Sequence, residues 1–309
     1  MAVHEPLAQR RQAALRANNN LRVYEDLDLL LAGESPDFVD IASPPAFHAD
    51  AARAALEAGA HVLVEKPLCL NLDDLRSLCS LAQARGRILF CVHNWKHSPA
   101  YRRAFQTISA GRLGELRYCA LTRLRTRQAG GALWRLDPLI GGGGILIDHG
   151  WHVFYLMQWL MGANAPASVA ARLGIFPPGV IEEVAEVSVS FENGALGHIH
   201  LSWRAPARRT SAVLYGEQGM LEIEDGSVRL THRSGAVEDL SVVEEADNSY
   251  HPGWFASLAQ EFETAIVQGP LGAVAMQNQH EAATALAMLE AAKASHSAGG
   301  TSVALRPLL

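Results

Sequence analysis

His61–Leu68 reads HVLVEKPL, and the fold class follows from how that run begins and ends. His61–Val64 is a short, largely apolar stretch that fits a strand buried on both faces of a parallel sheet. Glu65, Lys66 and Pro67 then close it. A proline has no N–H for a sheet ladder and restrains the residue before it, so the strand stops at Lys66, at the carboxyl edge. Ligands bind at that edge in open α/β sheets. Alone, the tripeptide reads equally well as a solvated pair at a strand end, so the rest of the chain has to decide.

Outward from this stretch the first 96 residues alternate short β-type runs with helices. Met1–Glu5, Arg22–Tyr24, Phe38–Ser43, His61–Val64 and Arg87–Val92 read as strands. Leu7–Ala17, Leu27–Ala32, Ala46–Ala58 and Asn71–Arg85 read as helices, the last with Asn71 as N-cap and Asp73 and Asp74 in its first turn. That alternation predicts parallel pairing with right-handed crossovers, a Rossmann-type sheet. Such a sheet ordinarily opens with a strand running into GxGxxG, and no such motif precedes Glu5. Glu5 instead closes the first strand where the second strand of this fold offers a carboxylate to a ribose. The chain is therefore expected to start at the second strand of the fold, with the first strand and glycine turn encoded upstream; the alternative is a chain that folds differently and binds dinucleotide weakly or not at all.

After Trp95 the periodicity changes. Ser98–Ala110 reads as a linking helix and Glu115–Thr126 as a half-solvated strand. A helix follows near 145–161, then strands at Ser168–Phe176, Val184–Glu192, Ala195–Trp203, Thr210–Tyr215, Met220–Glu224 and Ser227–His232. Asn193-Gly194 and Glu224-Asp225-Gly226 mark turns, and helices Gly253–Gln268 and Gln277–Ser297 finish the chain. The expected organisation is α/β plus α+β: a dinucleotide-binding domain over 1–96, lacking its first β-α unit, and a second domain over 97–309 built on a mostly antiparallel sheet.

The 309 residues carry a net charge of −6 with acids and bases interspersed, which gives no electrostatic case for nucleic acid or an anionic membrane. No apolar run approaches the ~18 residues of a membrane helix and the N-terminus lacks a signal-peptide core, so a cytoplasmic protein with small-molecule ligands is expected. Cys69, Cys79, Cys91 and Cys119 have no CxxC spacing and suit reduced, structural thiols.

The second informative stretch is Trp134–Gly162, WRLDPLIGGGGILIDHGWHVFYLMQWLMG. Its helical part is apolar nearly all round, hence buried. It nevertheless carries Asp148 and His152, four apart on one face, with Tyr155 further along. A buried carboxylate and imidazole have to be paired or face a polar cavity, and at this spacing the Asp can orient the His and raise its basicity. A structural pair bonding loop backbone is the bland alternative. Asp148, His149 and His152, or His93 and His97, could be thought of as zinc ligands, but neither set has a further ligand at a usual spacing, so no metal is expected. Gly141–Gly144 follows a loop rather than a strand and is no phosphate cradle; these glycines let backbone approach a neighbour or a ligand. Lys, Asp and His together suit moving a proton off a secondary alcohol, provided a cofactor takes the hydride.

Four motifs together resemble the Gfo/Idh/MocA family, the glucose-fructose oxidoreductase and inositol dehydrogenase group. They are Ser43-Pro44-Pro45 with His48, Ala58–Pro67 (AGAHVLVEKP), Gly142–Asp148 with His152, and Trp159–Gly162 (WLMG). The resemblance implies an NAD(P)-dependent dehydrogenase acting on a secondary hydroxyl of a sugar, cyclitol or related polyol. Lys66 would hydrogen-bond the reacting hydroxyl, His152 would be the base, and Asp148 would orient His152 or hold a second hydroxyl. Glu5, Ser43, Pro44, Pro45, His48, Glu65 and Lys66 would face the cofactor, with a cis Lys66–Pro67 bond as an option that proline opens. Asn94, Lys96, Trp134, Arg135 and His149 would line the substrate site. Glu5 favours NAD, while Arg10 and Arg11 keep NADP open. A homodimer or homotetramer through the C-terminal sheet is implied. The rival readings are a non-catalytic dinucleotide- and sugar-binding regulatory protein and an NAD-assisted glycosidase on the same fold.

Overall fold

The computed structural model describes residues 1–126, 133–177, 179–242 and 251–305. The N-terminal part runs β1 (Ala2–His4), α1 (Ala8–Ala17), β2 (Arg22–Tyr24), α2 (Leu27–Glu34), β3 (Phe38–Ile41), α3 (His48–Glu57), β4 (His61–Val64), α4 (Leu72–Arg85) and β5 (Leu89–Cys91). Every strand pairing here is parallel, as the alternation predicts, but the strands form two sheets, β1-β2 and β3-β4-β5. Local signals place the helices: the Asp26 side chain accepts from Leu29 N at 3.0 Å to start α2, and Asn71 accepts from Asp74 N at 2.8 Å to start α4. Gly86, with φ of 64°, stops α4 in the left-handed conformation that glycine adopts freely.

The rest comprises α5 (Pro99–Ser109), β6 (Leu116–Thr126), α6 (Pro138–Gly141), α7 (Ile145–Asp148), α8 (Gly150–Met161), β7 (Pro166–Ile175), β8 (Glu182–Phe191), β9 (Leu196–Ser202), β10 (Arg204–Gly216), β11 (Gly219–Glu224), β12 (Ser227–His232), β13 (Val237–Asp239), α9 (Pro252–Gln268), α10 (Ala273–Ser297) and β14 (Val303–Ala304). Nine strands form one sheet in the order β13-β12-β11-β10-β6-β9-β8-β7-β14, antiparallel except for the β6–β9 pair. The buried helix α8 lies against one face, so Leu121, Ala185, Val187, Ile199 and Leu201 point into a core shared with Phe154, Tyr155, Leu156 and Met157.

Two details differ from the sequence reading. The expected helix over 145–161 is interrupted at His149, giving α7 and α8. Helices α9 and α10, which the sequence assigns to the second domain, cover the first domain's sheet: Leu63, Ile88, Phe90 and Val92 form a cluster with Leu258, Phe262, Ala265 and Ala275. Asn278 of α10 secures the docking by accepting from Cys91 N at 2.8 Å and donating to Cys91 O at 3.0 Å.

A buried charge cluster lies under the 3-10 turn Asn94–His97. Lys96 Nζ is 2.8 Å from Glu281 and 3.6 Å from Glu261, and His93 Nδ1 is 3.2 Å from Glu281. Burial pushes the Glu281 carboxyl up, but Lys96 and His93 outweigh it and hold it down at about 2. Gly144 shows a different constraint. A Cβ there would lie 2.0 Å from the Glu182 carbonyl oxygen, and the Glu182 carboxylate accepts from the N–H groups of Gly144 and Leu146 at 2.9 and 3.2 Å.

Gly144→Ala is expected to cost about 1–3 kcal/mol or more, because the atom it meets is backbone and cannot swing away; a lowered thermal midpoint checks this. Glu281→Gln should cost about 3–5 kcal/mol near neutral pH by leaving Lys96 underpaired. Because the folded-state pKa of Glu281 is depressed, its contribution is complete above the unfolded value of ~4.3 and is lost as pH falls toward about 2. Wild type and variant should therefore converge in denaturant midpoint on acidification; a gap constant across that window would contradict the pairing.

Candidate active site

Lys66 leaves the carboxyl end of β4 through a cis Lys66–Pro67 bond, and its ammonium reaches the break between α7 and α8. Its Nζ donates to the Asp148 carbonyl oxygen at 2.6 Å and to Asp148 Oδ1 at 2.8 Å. The carbonyl at the last residue of α7 is thus held by an ammonium from the other half of the chain, at the position where the helix is interrupted. Burial would raise the Asp148 carboxyl, but the Lys66 ammonium outweighs it and holds it far below the usual carboxylate range. Asp148 is therefore an anion at any working pH.

His152 lies in the first turn of α8. Its Nδ1 is 3.1 Å from Tyr155 Oη, which itself accepts from Trp95 N–H at 2.9 Å, and its ring stacks on Trp95 with centroids 5.2 Å apart. With Nδ1 engaged, Nε2 is the ring nitrogen left for a ligand. Burial first, then the Lys66 and Arg123 charges, pushes the His152 pKa well below its ordinary value, so the ring is neutral. The expectation that Asp148 orients His152 is corrected: Tyr155 anchors the imidazole, and Asp148 anchors Lys66. A full cation competes better for a carboxylate than a neutral imidazole does.

On the cofactor side, Ala42, Ser43, Pro45, Glu65, Lys66, Trp134, Arg135, Gly141, Gly143 and Asp148 are among the residues enclosing a cavity of about 230 Å³. Ser43 Oγ is buried in this wall with no partner among the described residues, a group that a ligand amide or hydroxyl would satisfy. The nicotinamide end of a dinucleotide thus fits the residues present. His48, expected against the cofactor, is instead a brace. Its ring nitrogens lie 2.7 Å from the Pro67 carbonyl and 2.6 Å from that of Ser43, tying the two loops together. Pro44 precedes this wall, and Glu65 Oε2 accepts from Lys66 N at 3.2 Å. At the carboxyl end of β1, in the other parallel sheet, Glu5 Oε1 accepts from Leu7 N at 2.9 Å.

Of the expected substrate residues, Trp134 and Arg135 line the cavity with Lys66 and Asp148. His149 lies beside Asp148, with Nε2 3.9 Å from Oδ2. Asn94 keeps its side-chain oxygen buried and without a partner among the described residues. Lys96 is corrected: 7% exposed and paired with Glu281 and Glu261, it holds α9 and α10 rather than a substrate. Residues 129–132 and 247–250 lie outside the described residues.

Two neighbours were not anticipated. Arg123 donates from Nε to His149 Nδ1 at 2.9 Å and sits over the Trp95 ring with Cζ 3.8 Å from its centroid. Trp254, on α9, meets Trp95 edge-on at 6.4 Å. A signal for Arg123 was available, because it occupies the same alternating face of β6 as the buried Cys119 and Leu121.

Comparison with known proteins agrees with this geometry. Residues 1–93 match the "Oxidoreductase family, NAD-binding Rossmann fold" and residues 101–222 the "GFO/IDH/MocA C-terminal domain". The D-glucoside 3-dehydrogenase of Escherichia coli (strain K12) is 27% identical over 228 residues, 68% of this chain and 64% of the relative. The 1,5-anhydro-D-fructose reductase of Ensifer adhaerens is 26% identical over 217 residues, again 68% of this chain and 64% of the relative. The match thus spans under two thirds of these relatives' length. An inositol dehydrogenase homolog from Azotobacter vinelandii, solved with NAD+, superposes with a TM-score of 0.84 at 22% identity, covering 97% of this chain and 87% of that one. A levoglucosan dehydrogenase solved with NADH and levoglucosan gives 0.87 at 20%, covering 99% and 90%. With both halves of the family architecture matched and superposed, the chain belongs to the Gfo/Idh/MocA family of oxidoreductases.

Proposed function

We propose that the protein interconverts a secondary hydroxyl and a ketone on a sugar, cyclitol or related polyol, using NAD. The observation that carries this is a cation and an anion, Lys66 and Asp148, held together in the cavity wall, with the neutral imidazole of His152 close enough to feel the charge of both. Lys66 spends two donors on Asp148 and retains a third for a substrate oxygen. His152 offers Nε2 as a proton acceptor at neutral pH. Ser43, Pro45, Glu65 and Lys66 would hold the nicotinamide end, and the bound nicotinamide supplies the hydride acceptor that no side chain can provide. As charge develops on the substrate oxygen, the Lys66 ammonium stabilises it, positioned beforehand by Asp148. Trp95 and Tyr155 keep the imidazole in place and exclude water from its face.

Glu5, whose Oε2 lies 3.9 Å from Arg10, would accept from an unphosphorylated ribose and repel a 2′-phosphate, which supports NAD over NADP. Arg11, the other nearby base, is bound to Glu25 at 2.9 Å. The proposed protein is a cytoplasmic homo-oligomer paired through the open face of the nine-stranded sheet. No described helix is long and apolar enough to cross a membrane.

Lys66→Ala and His152→Ala should each lower kcat/KM by about 10²–10⁴ on a responsive polyol, with the circular dichroism spectrum retained. Near wild-type turnover in either variant would end the assignment. Since the depressed pKa keeps His152 unprotonated, the oxidation rate should stay level from about pH 8 to about pH 6, the acid limb falling below the ~6.5 of an ordinary histidine. A pH–rate profile with its limb at or above that value would contradict the environment described for His152.

A further inference from the structure

Among the described residues, the contacts of the buried Arg123 guanidinium are the His149 ring and the Trp95 face, with no carboxylate. On β6 the residues facing α8 run Cys119, Leu121, Arg123, Arg125, so the apolar face of the sheet becomes cationic where it reaches His149 and His152. Arg123 lies flat on Trp95 and donates one N–H, from Nε, to His149 Nδ1. An arginine only donates, so His149 Nδ1 is an acceptor and the imidazole carries its proton on Nε2, toward Asp148. Arg125 is held alongside through Thr210 Oγ1 at 3.1 Å. The carboxylate whose field reaches Arg123 is that of Asp148, and it already has the Lys66 ammonium at 2.8 Å. A desolvated cation without a counter-charge is costly. Consistent with that, burial first, then Arg125 and Arg208, presses Arg123 well below the ordinary arginine value.

We propose that this end of the site is an anion subsite, and that the substrate is an acidic sugar whose carboxylate docks on the Arg123 guanidinium while its reacting hydroxyl lies between Lys66 and His152. The proposal rests on the sugar-oxidoreductase reading and names its substrate class. The guanidinium plane, fixed by the Trp95 ring beneath it, presents its remaining N–H groups as a fork, and a planar carboxylate accepts two of them in parallel. Arg123 is not among the residues lining the cavity of Ser43, Pro45, Glu65, Lys66 and Arg135, so a carboxylate on Arg123 and a nicotinamide in that cavity do not compete for the same arginine. A phosphoryl group offers the same chemistry from a different source. A neutral hexose would leave the excess charge uncompensated.

The test is calorimetric titration of the 309-residue protein, with and without NAD+. The ligands are a panel of hexuronates and hexonates, the neutral hexoses and inositols of matching configuration, and hexose 6-phosphates. At least one sugar acid should bind about tenfold or more tightly than its neutral counterpart, and the advantage should shrink as salt is raised. Arg123→Met should remove about 10–100-fold from the acid's affinity while barely moving the neutral sugar, and Arg123→Lys should fall between. Preference for a hexose phosphate would support the subsite and assign its anion as phosphoryl. Equal or tighter binding of neutral sugars, no binding by any anionic sugar, or an acid-to-neutral ratio unchanged in Arg123→Met would overturn the proposal. The wild-type comparison stands even if a variant fails to fold. Selective acid binding without nicotinamide reduction would sink the oxidoreductase reading and leave the subsite, whereas turnover of neutral sugars with no charge preference would do the reverse.

Discussion

One contact joins the parts of this molecule that matter most: the Lys66 ammonium on the carbonyl and carboxylate of Asp148, 82 residues away in sequence. It spans from the edge of a parallel sheet to the break between two helices that rest on an antiparallel one. Neither partner is stable at its depth alone. An isolated carboxylate there would protonate, and an isolated ammonium would deprotonate or draw in water. Together they fix the gap between the halves of the chain to within a hydrogen bond.

That contact also sorts the charge states around it. With Lys66 and Arg123 nearby, a second protonated group is disfavoured, and His149 and His152 are both pressed to the neutral form, burial being the larger cause in each. A fixed cation, a fixed anion and a neutral base at the same pH would keep the two halves of the proposed acid–base work on separate side chains. Carboxylates sharing one proton could not do this, because their charge states depend on each other.

Much of this was legible in the sequence because it depends on short-range rules. Strands β1 to β5 follow from apolar runs between caps and stops, and Lys66 follows from the proline after it, which ends a strand where ligands bind. Buried Asp148 and His152 stand out because an otherwise apolar helix has no reason to contain them. Local rules could not supply the partners. The i, i+4 spacing promises an Asp148–His152 pair, but a cation arriving from residue 66 outcompetes the imidazole, and no window of sequence around 148 contains that information. Lys96 misled for the same reason: its partners, Glu261 and Glu281, lie on helices more than 160 residues downstream. Arg123 was visible in the alternation of β6, yet a charge on a core face is recognised only once the core is known.

The glycines at 141–144 show how far the site's geometry depends on a second line of support. Glu182, at the start of β8, sends its carboxylate onto the N-terminus of α7, where the charge suits the exposed N–H groups, and its own backbone passes where a Gly144 side chain would be. Helix α7 is only one turn long, so it has little intrinsic stability and its direction is set at its two ends. Glu182 holds the start and Lys66 the finish. The antiparallel sheet therefore positions Asp148 from one side and the parallel sheet from the other, and the geometry of the proposed site becomes a property of how the two sheets are spaced. A shift at either support would move Asp148 and carry Lys66 with it, while His152, anchored through Tyr155 to Trp95, would stay behind. The separation between the ammonium and the imidazole is the quantity a substrate oxygen has to match, and it is set by these two independent anchors rather than by any bond between the pair.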